Sequence, residues 1–286
     1  MISQELQITN QINNPWPKGW RENLKIMAVI NITPDSFSDG GRFLDPKTAL
    51  NKATDVIDSG ADILDIGGQS TRPGAQLISC EEELNRITPV ITLLRKEHPN
   101  QLLSIDTFYS KVAKKALDLG VNWVNDISGG RFDSDILNVV ADSGAPFVIN
   151  HSRGNSSNMN TFANYQNVTT EVYEELQRAI DHAYSAGVSK KQIIIDPGIG
   201  FAKNNFHNID LLYNLEKFTN SRFPVLVGPS RKKFIGHTLN QPDPMKRIFG
   251  TAAVVCRCVQ AKVDMVRVHD VSEMKQVIDM SNALWN

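Results

Sequence analysis

The chain has 286 residues, and its 30 lysines and arginines almost balance its 31 aspartates and glutamates, which gives a net charge of −1. This balance argues against a nucleic-acid-binding protein, which needs a basic face to neutralise phosphates. No apolar run approaches the ~18 residues of a membrane span, and the N-terminus lacks the apolar segment of a secretion signal. With three cysteines that form no pairing pattern, the protein is expected to be cytoplasmic.

Eight short apolar runs recur along the sequence, and each is followed by polar or glycine residues. Near-continuous hydrophobicity of this kind is typical of strands that are buried on both faces. In chain order the predicted strands are 26–30, 63–66, 102–105, 123–124, 146–149, 193–195, 224–227 and 265–268.

A segment with helical spacing of apolar residues follows each of these runs. Asp45-Pro46 and Gly60 mark the ends of the first predicted helix, while Ser79 and Glu82 have the spacing of a capping box ahead of the second. The remaining apolar stripes lie at 112–117, 136–140, 172–180, 211–218, 248–261 and 272–284.

Eight strand–helix units over residues 25–286 predict an α/β fold, a single-domain (β/α)8 TIM barrel, which typically occupies about 250 residues. A doubly wound open sheet is the alternative, but eight even units without a change of composition favour the closed barrel. Residues 1–24 form a short N-terminal extension. It either packs on the barrel through Trp16 and Trp20 or is partly disordered.

Polar residues collect at the points where the predicted strands end. In barrels of this kind, the loops after the strands build the functional site. The residues at these ends are Asn31, Asp65, Asp106, Thr107, Asn125, Asp126, Asn150, His151, Asp196, Ser230, Arg231, Lys232, Arg267, His269 and Asp270. Because all eight ends are polar at once, the sequence predicts one shared pocket.

This pocket combines two chemistries. One set can recognise the edge of a polar heterocycle, because a carboxylate pairs well with two adjacent N–H groups. A second, donor-rich set suits a phosphate or diphosphate, and Asn31 with the acids around it can hold Mg²⁺. The heterocycle set is Asp106, Asn125, Asp196 and Lys232, and the phosphate set is Thr71, Arg72, Arg267 and His269.

Each of these residues, taken alone, also has a purely structural interpretation. Asp196 precedes Pro and Gly and fits an ordinary turn. Arg267 fits a surface ion pair, His269 fits a structural histidine, and Asp65 fits a buried acid that supports the site without contacting a ligand. The functional interpretation therefore depends on the whole set rather than on any single residue.

Several stretches together resemble one known family, the dihydropteroate synthases of folate biosynthesis. They are NITPDSFSDGG (31–41), DIGGQSTRPGA (65–75), SIDT (104–107), NDISGG (125–130), IIIDPGIGF (193–201), HN (207–208), SRK (230–232) and RVHDV (267–271). The resemblance implies condensation of 6-hydroxymethyl-7,8-dihydropterin diphosphate with 4-aminobenzoate. Diphosphate would leave first, in a dissociative mechanism, to give 7,8-dihydropteroate. It also implies Mg²⁺ as cofactor and a homodimer.

The resemblance further implies a role for each matching position. The implied pterin contacts are Asp106, Asn125, Asp196, Phe201 and Lys232. The implied diphosphate contacts are Asn31, Thr71, Arg72, Arg267 and His269, and Asn31 is also the implied Mg²⁺ ligand. The implied 4-aminobenzoate contacts are Phe37, Ser70, Pro73, Ser230 and Lys232. The implied catalytic residues are Asp106, Asp196, Lys232 and Arg267.

The sequence departs from the family pattern at a few places. Asn150 and Ser152 flank His151 where relatives usually carry methionine, and Gln69 replaces a common glutamate. Two other functions stay open, a pterin-dependent methyltransferase that serves a cobalt cofactor and a pterin-binding paralogue without turnover. Since no pyrophosphokinase domain precedes residue 26, a single activity is expected.

Overall fold

The computed structural model describes residues 14–33, 45–70 and 74–285, and its centre is an eight-stranded parallel barrel. The strands are β1 Lys25–Asn31, β2 Ile63–Gly67, β3 Leu102–Asp106, β4 Trp123–Asp126, β5 Phe147–Asn150, β6 Ile193–Asp196, β7 Leu226–Val227 and β8 Met265–Val268. The helices are α1 Pro46–Asp58, α2 Cys80–Glu97, α3 Ser110–Asp118, α4 Asp135–Ser143, α5 Val168–Ser185, α6 Asn205–Tyr213, α7 Glu216–Thr219, α8 Lys233–Thr238, α9 Ile248–Gln260 and α10 Val271–Trp285.

Strand pairing runs in the order β6-β5-β4-β3-β2-β1-β8-β7, with every pair parallel. The barrel closes between β6 and β7, where Ile195 bridges Val225 and the Ile195 amide donates to the Pro224 carbonyl at 2.9 Å. The predicted (β/α)8 barrel is therefore confirmed, and the open sheet is excluded because its two edge strands would not meet.

Alternation along the strands separates two hydrophobic cores. Every second side chain of a strand faces outward and packs against the helices, as Ile26, Ala28 and Ile30 of β1 do. The others point inward and form the lower core of the barrel. This inner core is Met27, Ile63, Leu102, Trp123, Val148, Ile194, Leu226 and Met265, one residue from each strand.

The described end of the N-terminal extension closes the bottom of the barrel. Trp16 and Trp20 pack against the inner core, with their ring centroids 5.1 and 5.6 Å from that of the fully buried Trp123. The Trp123 indole N–H donates to the Pro15 carbonyl, and the Arg21 guanidinium pairs with Asp264 at 3.1 Å. Residues 14–24 therefore pack on the barrel, as one of the two sequence interpretations proposed.

The helix signals that depend on capping are confirmed. Asp45 caps α1 by accepting from the Lys47 amide at 3.3 Å, and Ser79 caps α2 by accepting from the Glu82 amide at 3.1 Å. Across the described ranges, no helix is both long and apolar enough to cross a membrane.

The sequence prediction differs from the structure around β7. The apolar stripe at 211–218 is divided between two helices, because α6 ends at Tyr213 and α7 begins at Glu216. Helix α6 also begins six residues before the stripe, at Asn205. Helix α8 was not predicted, since six residues are too few to show a helical period. Strand β7 keeps only two of its four predicted residues.

Removing the two tryptophans that close the barrel, by Trp16→Ala with Trp20→Ala, is expected to lower the free energy of unfolding by about 2 to 4 kcal/mol, because both rings cover Trp123. Chemical denaturation followed by circular dichroism measures the change. Tyr184→Ala, on the exposed side of α5, is the control and should change stability by less than about 0.5 kcal/mol. An equal effect of both changes would contradict a sealing role.

Candidate active site

Above the inner core, the inward-facing positions become polar. The next inward positions are Val29, Asp65, Ser104, Asn125, Asn150, Asp196, Gly228 and Arg267, and the positions after them are Asn31, Gly67, Asp106, Ile127, Ser152, Gly198, Ser230 and His269. Side chains alternate across each strand, so those of these residues that belong to the strands point into the barrel, toward the mouth at the carboxyl ends of the strands. Seven of the predicted site residues occupy these positions.

Arg267 is held between two acids from neighbouring parts of the barrel. Its Nε donates to Asp65 Oδ2 at 2.6 Å, and its Nη2 donates to Asp106 Oδ2 at 2.7 Å. The Asn125 amide nitrogen donates to the same Asp65 oxygen at 3.0 Å. Asp65 is fully buried and contacts Arg267 and Asn125, so it orients these two residues from behind the mouth.

Two acids of the mouth, Asp106 and Asp196, are hard to ionise because they are buried. Burial raises the pKa of Asp106, against the opposing effect of Arg267. Burial likewise raises the pKa of Asp196 to about 6, although the Gly198 amide, which donates to its Oδ1 at 2.7 Å, and the Lys232 ammonium both favour the carboxylate. A ligand that offers N–H donors would relieve this cost by hydrogen-bonding the charged form.

Lys232, which follows β7, supplies a cation near these acids. Burial lowers its pKa to about 8, with Arg267 adding to the effect while Asp196 and Asp106 oppose it. Its Nζ lies 3.9 Å from the centre of the Phe201 ring. Gly200 has a φ of +85°, and a Cβ there would come within 2.8 Å of the Lys232 side chain. Lys232 therefore lies near enough to Asp196, Asp106 and Arg267 for their charges to shift its pKa.

Ser230 and His269 link the last two strands at the rim of the mouth. The Ser230 hydroxyl accepts from the His269 amide at 3.2 Å and lies 2.9 Å from its Nδ1. Behind them, the Arg231 guanidinium pairs with Asp270, with its Nε 3.1 Å from Oδ2. The residue implied for the 4-aminobenzoate carboxylate therefore adjoins the one implied for diphosphate.

Asn31 lies across Gly67 from Asp106. A Cβ on Gly67 would lie 3.6 Å from both Asn31 Oδ1 and Asp106 Oδ2, so the missing side chain leaves a gap between the two oxygens. Amide and carboxylate oxygens are ligands of the kind that Mg²⁺ takes, since it uses few protein oxygens and completes its shell with water and phosphate.

Four of the predicted contact residues, Phe37, Thr71, Arg72 and Pro73, lie outside the described residues. Ser70 borders a cavity of about 180 Å³ over β3 to β5, together with Phe108, Ile127 and Arg131.

Two further buried polar groups, to which the sequence assigned no ligand contact, lie in or behind the mouth. Asn150 donates its amide to the Ile127 carbonyl at 3.2 Å, and its buried Oδ1 has no partner among the described residues. Glu83 of α2 lies beneath Gly68, where burial and then Asp106 raise its pKa to about 8. Its position four residues before Ile87 on the buried face of α2 was the available signal.

Comparison with known proteins connects this geometry with one group of enzymes. Residues 27–269 match the family described as pterin binding enzyme. A dihydropteroate synthase from Synechocystis is 45% identical over 284 residues, which cover 98% of this chain and 98% of that protein.

Two solved structures show the same similarity in three dimensions. A dihydropteroate synthase from Clostridium difficile, crystallised in the presence of pteroic acid, aligns with a TM-score of 0.87 and 39% identity, covering 94% of this chain and 99% of that one. A dihydropteroate synthase from Xanthomonas albilineans with 4-aminobenzoic acid also reaches 0.87, at 36% identity, covering 92% and 94%.

Proposed function

The chain belongs to the pterin-binding enzyme family, among the dihydropteroate synthases of folate biosynthesis, and from this premise we propose how its own residues carry the reaction. The substrates are 6-hydroxymethyl-7,8-dihydropterin diphosphate and 4-aminobenzoate, and the products are 7,8-dihydropteroate and diphosphate. The convergence of Asp106, Asp196, Lys232 and Arg267 in one mouth supports this proposal most strongly.

The inner part of the mouth fits the pterin ring. The Gly198 amide donates to one oxygen of Asp196, and the other oxygen can accept from the amino and ring N–H groups of the aminopyrimidinone. Asn125 gives its N–H to Asp65, so its oxygen remains an acceptor. The Lys232 ammonium has no hydrogen-bond acceptor among the described residues and can donate to the pterin carbonyl, with Phe201 beside it.

The rim of the mouth fits the diphosphate and 4-aminobenzoate. His269 can donate to a phosphate oxygen, and Ser230 beside it can donate to the 4-aminobenzoate carboxylate. We assign Thr71 and Arg72 to the diphosphate and Phe37, Ser70 and Pro73 to 4-aminobenzoate, on the resemblance of the sequence. Asn31 would hold Mg²⁺, which supplies positive charge that stabilises the leaving diphosphate.

We propose that the bond to diphosphate breaks before the new bond forms. Departure of diphosphate leaves a positive charge on the pterin methylene, delocalised into the ring. The carboxylates of Asp106 and Asp196 stabilise that charge, and the donors at the rim stabilise the leaving oxyanion. The nitrogen of 4-aminobenzoate then attacks the methylene and loses its proton. This sequence requires no covalent intermediate on the enzyme.

Release of diphosphate from the dihydropterin substrate, measured with and without 4-aminobenzoate, tests the proposed reaction. We expect release to depend on 4-aminobenzoate and to be faster with Mg²⁺, with one dihydropteroate formed per diphosphate. Tight pterin binding without release would favour a non-catalytic paralogue. Methyl transfer to cobalamin would favour the methyltransferase instead. Removing Mg²⁺ with a chelator should slow release and leave binding of a pterin without diphosphate unchanged.

We also propose a homodimer that forms through α6 and α9. Phe206, Ile209 and Tyr213 recur at helical spacing on α6 and are 84%, 48% and 78% exposed, and Phe249 on the neighbouring α9 is 84% exposed. An apolar surface of this kind is unusual on a monomer and typical of an interface. We further propose a cytoplasmic location, since all three cysteines lie in the described part and are free thiols.

Phe206→Lys combined with Phe249→Lys is expected to weaken the dimer at least about a hundredfold, because each ring that becomes buried contributes roughly 1.5 to 3 kcal/mol. Sedimentation velocity at micromolar concentration measures the shift from dimer to monomer. Phe162→Lys, at an exposed site between β5 and α5, is the matched control and should stay dimeric. A monomeric wild type, or a variant that stays dimeric, would contradict this interface.

A further inference from the structure

The connection from β6 to α6 carries two residues of the proposed pterin site in a conformation that its sequence does not favour. It begins at Asp196 and includes Phe201. Gly198 and Gly200 have positive φ angles, and so does Ala202, with φ +50°. A non-glycine residue in the left-handed region costs about 1 kcal/mol or more. Contacts from elsewhere in the chain must therefore hold this connection in place.

Two side chains hydrogen-bond the backbone carbonyls of Phe201 and of Ala202, the residue with the unfavourable positive φ. The buried Lys203 donates from Nζ to the Phe201 carbonyl at 2.9 Å and to His151 Nδ1 at 2.9 Å. The Tyr165 hydroxyl donates to the Ala202 carbonyl at 3.1 Å. The backbone beside Phe201 is thus fixed by one residue of the connection itself and by one residue that precedes α5.

A chain of polar contacts behind Lys203 joins these two anchors. The Nε2 of His151 lies 3.0 Å from Glu175 Oε2, and the Nε of Arg153 donates to Glu175 Oε1 at 3.1 Å. The Arg153 guanidinium lies 3.9 Å from the centre of the Tyr165 ring, which closes the circuit. Because Nδ1 accepts from Lys203, His151 is neutral and donates from Nε2 to Glu175. Burial, which lowers the pKa of His151 to about 3, agrees with this assignment.

We propose that Lys203 is a positioning residue for the pterin site, which acts by holding the Phe201 carbonyl and so fixing the Phe201 ring against Lys232. The Lys203 ammonium donates its hydrogen bonds to the Phe201 carbonyl and to His151, and its charge also favours the carboxylate form of Asp196. The inference rests on the proposed function for the identity of the ligand. It assigns to Lys203 and Tyr165 a role in affinity for the ring and none in the departure of diphosphate.

Lys203→Met, which keeps the length of the side chain and removes its donors, is expected to weaken binding of 6-hydroxymethylpterin about tenfold and to raise the KM for the pterin substrate similarly. The kcat should change less than about threefold. Calorimetry and steady-state rates measure these changes. Lys217→Met, an exposed lysine over the Tyr173 ring, is the matched control and should change neither constant.

A double-mutant cycle with Phe201→Ala separates positioning from general destabilisation. If Lys203 acts through Phe201, Lys203→Met should cost little further pterin affinity once the ring is absent. A full additional tenfold loss in the Phe201→Ala background, or an unchanged affinity in the single variant, would overturn the proposal. Diphosphate release by the wild type tests the proposed function separately, so the two can fail independently.

Tyr165→Phe provides a second variant that removes one hydroxyl and keeps the ring beneath Arg153. It should weaken pterin binding about threefold, and this loss should also disappear in the Phe201→Ala background. If Lys203→Met does not fold, this cycle decides the question. Loss of pterin affinity that persists without the Phe201 ring would again overturn the proposal.

Discussion

Replacing Arg267 by alanine is expected to slow diphosphate release at least about a hundredfold and to lower the free energy of unfolding by about 3 kcal/mol. The guanidinium bonds both Asp65 and Asp106, so its removal leaves two buried carboxylates without their counter-charge. Binding of a pterin without diphosphate should weaken as well, because Asp106 loses its fixed position. Denaturation and diphosphate release measure the two effects.

Arg267→Lys separates charge from geometry. A lysine keeps the positive charge, but one ammonium cannot serve both acids as the planar fork of Arg267 does, so an intermediate loss is expected. Combining Arg267→Ala with Asp65→Asn should recover much of the stability and little of the activity. Arg257→Ala, which breaks an exposed pair with Glu216, is the control for loss of an arginine. If Arg267→Ala slowed diphosphate release by less than about tenfold, a role of Arg267 in the reaction would be contradicted.

Replacing Asp196 by asparagine is expected to weaken pterin binding by about 2 kcal/mol, roughly thirtyfold. The asparagine oxygen can still accept from the Gly198 amide, but an N–H group then faces the N–H donors of the ring. Stability should not fall, since the change removes a buried carboxylate. Calorimetric titration with 6-hydroxymethylpterin measures the affinity.

Asp126→Asn is the matched control for this change. Asp126 is equally buried, but it faces outward and accepts from the amides of Ser128 and Gly130. Its replacement should lower stability and leave the pterin affinity unchanged. If both variants lost the same pterin affinity, a specific contact by Asp196 would be excluded.

The pKa of Asp196 gives this prediction a pH dependence. Its folded-state pKa is raised to about 6, so the carboxylate that accepts from the ring is lost as the pH falls through about 6. Wild-type pterin affinity should therefore decrease below that pH. In Asp196→Asn, the slope of the logarithm of the pterin affinity against pH should be smaller by one proton, because position 196 no longer titrates. Identical pH profiles would contradict ionised Asp196 as the acceptor.

Periodicity and strand ends were sufficient to predict the barrel and much of its mouth. A strand that is buried on both faces must be apolar, and its last residues must change character where it leaves the core. That is why Asn31, Asp106, Asn125 and Asp196 could be found from the sequence and why they line the mouth in the structure. Short elements were missed, because the six residues of α8 show no period.

The sequence by itself determined that the strand ends carry polar residues, since a strand that is buried on both faces changes character where it leaves the core. Only the tertiary structure decided their partners. It placed Arg267 between Asp65 and Asp106, which are 202 and 161 positions away along the chain, and it set Lys203 behind Phe201. Contacts over such separations depend on how the barrel closes and on the stagger of its strands, and no local pattern encodes these. Burial, which raises the pKa of Asp106 and of Asp196, likewise exists only once the eight strands have come together.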